Sequence, residues 1–214
     1  MLIEKFYPIL ILIFLSIGNL FWVAGQFLLL LNGYPEAGYW INDLNTDLCC
    51  FWKTVRDRAN ELLEEVTQLM HKYKNGKKLY RKLYEPEYQK DDFSKAVRLT
   101  LLNRISYSGL IDSGGYSSQA FDRGIKPAYL SNISKLSDML KGVKITNVGY
   151  ESLLSEKSEG VFVFMDPPYW KAKPANANLY GKNGNLHVSF NHSRFAENVK
   201  SCKQGQKKLG DYVR

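Results

Sequence analysis

Asp166-Pro167-Pro168-Tyr169-Trp170 is the segment whose residue types could do chemistry. The two prolines fix φ and carry no N–H. They hold the chain extended and leave carbonyl oxygens open to accept hydrogen bonds. A carboxylate and a carbonyl side by side, with an aromatic face next to them, suit an exocyclic amino group on a flat ring. Both N–H bonds can be accepted while Tyr169 stacks on the ring. Accepting them makes the nitrogen lone pair more available to a carbon electrophile, so the chemistry favoured is transfer to an amino nitrogen. A turn with a capping aspartate is the plainer reading of Asp-Pro-Pro alone. The apolar run ahead of it and Tyr169-Trp170 behind it favour a site.

Such a site needs a rigid edge to stand on. Val161-Phe162-Val163-Phe164-Met165 is continuously apolar, the mark of a strand covered on both faces, and it delivers Asp166 at its carboxyl end. Gly38-Tyr39-Trp40-Ile41-Asn42-Asp43 reads as a second strand that also ends in an acid. Ligands of open α/β sheets bind at the carboxyl ends of strands, so both ends are site candidates. After Asp43, the residues 44–47 offer helix N-caps. Leu48, Phe51, Trp52, Val55, Leu62, Leu63, Val66, Met70 and Tyr73 then recur at helical spacing, and Asn75-Gly76 predicts the helix end. Further helices are expected over 93–105, 131–140 and 150–155, with a strand over 143–148. Residues 106–118 have loop composition, with Gly114-Gly115 able to take positive φ. The fold class expected is α/β, with a mostly helical insertion from about 53 to 140.

The chain has 214 residues and a net charge of +8, with the basic excess in 51–110 and 161–214. Lys72, Lys74, Lys77, Lys78, Arg81 and Lys82 interleave with Tyr73, Tyr80 and Tyr84, which suits phosphate contact. Cys49, Cys50 and Cys202 fit neither a disulfide framework nor a zinc pattern. They point to a reducing, cytoplasmic compartment and no structural metal. Residues 6–35 carry no charge and are apolar on every side around 9–15. Residues 1–33 therefore form a separate segment, read at face value as a transmembrane or signal-anchor helix. Residues 34–214 form the globular part.

Asp166-Pro167-Pro168-Tyr169, at the end of an apolar strand, resembles motif IV of the Dam-like adenine-specific (N6) DNA methyltransferases. Other segments agree in order. Residues 40–45 resemble the strand carrying motif II. Asn103-Arg104 through Tyr107-Ser108-Gly109 to Gly114-Gly115-Tyr116-Ser117 resembles the loop region between motifs. Leu179-Tyr180-Gly181, Leu186-His187, Phe190, His192 and Arg194-Phe195-Ala196 resemble the stretch after motif IV. The resemblance implies a partial Rossmann-like sheet and methyl transfer from S-adenosylmethionine to N6 of an adenine flipped out of duplex DNA. It implies that Asp166, Pro167, Pro168 and Tyr169 hold the adenine, with Asp166 also against the cofactor. Asp43 would contact the cofactor's nucleoside. Double-stranded DNA is the implied partner, with a cognate restriction endonuclease in a restriction–modification setting.

The departures carry expectations of their own. Gly149 stands where the family's motif III usually has an acid. The chain ends soon after the helix that follows motif IV, so the family's last strands are expected to be missing. Motif I, a Phe-x-Gly-x-Gly turn after the first strand, is absent, and the apolar run occupies its place. Residues 17–27 can be encoded so that reading two bases later gives Arg-Glu-Pro-Phe-Leu-Gly-Gly-Gly-Ser-Val, which is motif I. This predicts that the residues before about Leu28 are a frameshifted reading and that the chain as written transfers no methyl group. Two other classes stay open on the sequence: a basic DNA-binding module without catalysis, and a membrane-anchored methyltransferase-like protein.

Overall fold

The computed structural model describes residues 9–14, 37–109, 111, 114–154, 161–167 and 190–205. The protein is mixed α/β, mostly helical, with a small parallel sheet. The described residues fall into two compact units. One holds the strands, from residues up to Asn45 and after Gly142. The other is helical, Thr46–Lys141.

The sheet has four strands, β1 (Ile9–Phe14), β2 (Gly38–Asp43), β3 (Lys144–Thr146) and β4 (Val161–Asp166), in the order β3-β2-β1-β4. Every pairing is parallel. The apolar helix expected at the N-terminus is replaced over Ile9–Phe14 by strand β1, which lies between β2 and β4. Alternating isoleucine and leucine has high β propensity, and a run apolar on every side suits a strand flanked by two others. No helix among the described residues is long and apolar enough to cross a membrane. The remainder of the 1–33 segment lies outside the described residues.

β4 differs from expectation in its burial. Val161, Val163, Phe164 and Met165 are half-buried, because β4 is an edge strand among those described. Val161, Val163 and Met165 pack against a buried cluster of Trp40, Tyr150, Leu153 and Leu154. Helices α6 (Tyr150–Leu154) and α7 (His192–Gly205) supply the cover. Phe195 meets Tyr150 edge-on at 5.1 Å between ring centroids, and Asn198 Nδ2 donates to Tyr150 Oη at 3.2 Å. Such aromatic contacts give the cover a defined seat on the strands.

The helical unit is built on α1 (Thr46–Lys72), whose helical geometry breaks at Arg58. α1 packs against α3 (Asp92–Ile105) and α5 (Pro127–Met139). Phe51, Trp52, Val55, Leu62 and Val66 are almost wholly buried. They are the periodic residues of the sequence, and burial stabilises each by about 1.5–3 kcal/mol. Arg98, in the middle of α3, pairs with Asp47 and is 8% exposed. Helix α2 (Gly76–Lys82) was not expected. Asn75 does not end α1. It caps α2, its side chain accepting from Lys78 N at 3.1 Å. Glycine relieves crowding at the next residue, since a Cβ on Gly76 would lie 2.4 Å from Phe121 Cγ. Phe121 belongs to α4 (Ser118–Asp122), capped by Ser117. The helix expected over 131–140 starts earlier because Pro127 opens it.

Candidate active site

The strand register sets the site. Phe14 of β1 is level with Asp43 of β2 on one side and with Asp166 of β4 on the other. The two acids that the sequence singled out therefore end the two strands that flank β1, at one carboxyl edge. Two strand spacings separate their backbones, about 10 Å. The strand order reverses here. The chain runs outward from β1 to β2 and β3, then returns to the far side of β1 with β4. In open α/β sheets the crevice at such a reversal is where ligands bind. Pro167 follows directly and is half-buried. Pro168, Tyr169 and Trp170 lie outside the described residues, as do residues 179–187.

Asp43 is 1% exposed and its Oδ1 accepts from Asn45 N at 2.7 Å. This local turn holds the carboxylate at the strand end before α1 begins. A buried carboxylate so held suits a pair of vicinal hydroxyls. Leu44 and Val148, 41% and 40% exposed, are the exposed large apolar side chains of this unit among the described residues. A carboxylate accepts from hydroxyls and exposed apolar side chains can cover a flat ring, so these residues fit the nucleoside part of a cofactor.

Asn42 was missed by sequence reasoning. It is wholly buried and joins β2 to the segment after β3. Its Oδ1 accepts from Thr146 Oγ1 at 2.7 Å and from Val148 N at 3.1 Å. Its Nδ2 donates to Val148 O at 2.9 Å. Thr146 Oγ1 also accepts from Trp40 Nε1 at 2.7 Å. In return Asn147 Nδ2 donates to Asp43 O at 2.7 Å. The available signal was a polar residue directly after the apolar run 39–41 in the same strand, which requires partners once buried. Gly149 follows, where a Cβ would stand 3.0 Å from Glu151 Oε2. Glu151 Oε1 is 3.5 Å from Arg194 Nη2.

In the helical unit, Asn103 and Arg104 lie in the last turn of α3. Arg104 Cζ lies 4.8 Å from the centre of the Tyr129 ring. Asn103 Nδ2 donates to Gly109 O at 3.2 Å. Ser106 bridges to Tyr116, and Tyr107 N donates to Gly115 O at 3.2 Å. Gly115 takes φ +64°, as its type allows, and Ser108 is also positive at 54°. Tyr107 on this braced turn is 61% exposed. Of the basic run, Lys82 is held by Glu85 at 2.6 Å and Glu87 at 3.0 Å. These carboxylates raise its pKa, despite a small opposing effect of desolvation. Lys74, Lys77, Lys78 and Arg81 are exposed.

A parallel sheet with two acids at one carboxyl edge, the second followed by proline, is a candidate ligand site of an α/β protein. Comparison with known proteins makes this specific. Residues 25–213 match the model of the D12 class N6 adenine-specific DNA methyltransferases, and the chain belongs to that family. It is 27% identical over 161 residues to the type II methyltransferase M.MjaIII of Methanocaldococcus jannaschii, covering 69% of this chain and 54% of the relative. It is 26% identical over 140 residues to the type II methyltransferase M1.LlaDCHI of Lactococcus lactis subsp. cremoris, covering 60% and 49%. It is 26% identical over 136 residues to a DNA adenine methylase of Escherichia coli, covering 61% and 49%. The chain thus spans about half the length of the curated relatives it matches. The family match starts at residue 25, so β1 lies ahead of it.

Proposed function

We propose that the protein methylates N6 of adenine in DNA, with S-adenosylmethionine as donor. The observation that carries this is the register that brings Asp43 and Asp166 to one edge on either side of β1. The strand order β3-β2-β1-β4 is half of a doubly wound sheet, which supports a Rossmann-like methyltransferase architecture. The helical unit Thr46–Lys141 is then the DNA-recognition insertion.

Bound at the edge, the donor supplies a methyl carbon on a positively charged sulfur that is already a good leaving group. Asp43 would accept from the hydroxyls of its nucleoside. Asp166 and the Pro167 carbonyl would accept the two N–H bonds of a flipped adenine, and Tyr169 would stack on the base. Pro168 would hold Tyr169 in that position. The amino lone pair is thereby left for in-line attack, and most of the catalysis is positioning. The substrate is duplex DNA, and the cellular setting is cytoplasmic restriction–modification.

The sequence after β1 is Leu15-Ser16-Ile17-Gly18, with a single glycine. β1 pairs in register on both sides, so we read only the residues between it and about Leu28 as out of frame. The chain as written should bind the cofactor's nucleoside without turnover, and the gene with its frame restored should transfer methyl groups. The test is incorporation of labelled methyl into DNA by both proteins, each with Asp166→Ala alongside. Transfer by the frame-restored protein, lost in Asp166→Ala, supports the function. No transfer from that protein refutes it.

A further inference from the structure

Pairing between β2 and β3 ends at Asn42 with Thr146. Beyond that point the two segments stay joined by side chains. The Asn42 amide both accepts from and donates to the Val148 backbone, at 3.1 and 2.9 Å, as a neighbouring strand residue would. Asn147 sends its own amide back to the carbonyl of Asp43 at 2.7 Å. Asn42 is wholly buried, so its contacts answer a need for satisfaction. Asn147 is exposed and water could serve it equally well. Its hydrogen bond is therefore better explained by what it holds than by what it satisfies. It holds Asp43, the acid of the proposed site, while Asn42 holds Val148, an exposed apolar side chain at the same edge.

We propose that Asn42 and Asn147 form a reciprocal clasp that positions Asp43 and Val148 to bind the nucleoside of the methyl donor. The proposal rests on the functional reading above. Asn42 and Asn147 act through their neighbours and are positioning residues. Such groups matter because a site must be fixed before the ligand arrives. A side-chain clasp suits this edge. It keeps the two segments together while freeing Leu44 and Val148 from strand alternation, so that both can face solvent beside the carboxylate.

The test uses the chain as written and substitutions at exposed Asn147, which leave the core intact. Asn147→Asp keeps the size, loses the donor and sets a second carboxylate near Asp43. Asn147→Ala loses the donor alone. Affinity for S-adenosylhomocysteine is measured by titration calorimetry, with the melting temperature measured alongside. Asn147→Ala should weaken binding about fivefold and Asn147→Asp about tenfold or more, the weight of one hydrogen bond and then an added repulsion. The melting temperature should stay within about 3 °C, as expected for an exposed position. Equal affinity of all three proteins overturns the clasp alone. An affinity loss that only follows a loss of folded protein also overturns it, because a purely structural role would behave so. A wild-type chain that binds no S-adenosylhomocysteine overturns the cofactor reading and the clasp with it.

Discussion

Asn42→Ala is the substitution whose cost the structure specifies most closely. Asn42 is 0% exposed and makes hydrogen bonds to Thr146 Oγ1, Val148 N and Val148 O at 2.7, 3.1 and 2.9 Å. Each is worth about 1 kcal/mol net in a folded protein. The partners are not sealed off, since Thr146 is half-buried and Val148 exposed, so water can recover part of the loss. The small void left behind adds a compensating cost. The sum is about 3 kcal/mol. Urea unfolding measures it. With a slope of about 2 kcal/mol/M, the midpoint should fall by about 1.5 M with the slope unchanged. Asn198→Ala is the control, because it removes one partly buried hydrogen bond to Tyr150 at 3.2 Å and should cost about 1 kcal/mol or less. A loss below about 1 kcal/mol for Asn42→Ala, or one equal to the control, would refute the reasoning that the amide network holds the two strands together.

Other expectations follow from single sites. Gly76→Ala gains helix propensity but drives a methyl group to 2.4 Å from Phe121 and 2.6 Å from Tyr116 Oη, so thermal unfolding should show a net loss of about 1–3 kcal/mol. Burial, and then the Asp92 carboxylate, push the Cys50 thiol up to about 11. Native Cys50 should therefore resist thiol reagents at pH 8 and react only on unfolding. Because its folded pKa is raised, its contribution to stability is complete below the ordinary thiol value and is lost as pH rises toward 11, which a comparison of urea midpoints at pH 8 and pH 10 checks. Gly149→Asp would restore an acid where the family usually has one. The Glu151 carboxylate must first move from 3.0 Å, and cofactor affinity measured by calorimetry should then rise.

The fold was legible where one residue type served one purpose. The spacing of Leu48, Phe51, Val55, Leu62 and Val66 placed α1 because a helix must bury one stripe. The run 161–165 placed β4 because a short apolar stretch that stops at Asp166-Pro167 suits a strand, although β4 is half-buried and not covered on both faces. Legibility failed where one signal had two meanings. Residues 9–14 are apolar on every side, which describes a membrane helix and an interior strand alike; the strands on both sides of it, far away in sequence, decide for the strand. Asn75-Gly76 could end one helix or begin the next, and the crowding of Gly76 against Phe121 and Tyr116 is a tertiary fact. The candidate site shows the same division. Asp43 and Asp166 were readable because acids ending strands are conspicuous. Asn42 and Asn147 were not, because their role depends on a pairing between residues about a hundred positions apart.

The most direct test of the account is methyl incorporation into duplex DNA by the product of the frame-restored gene, with Asp166→Ala as its partner. The account predicts labelled N6-methyladenine from the first protein and background from the second. Equal incorporation by both proteins, or none from the first, would contradict it.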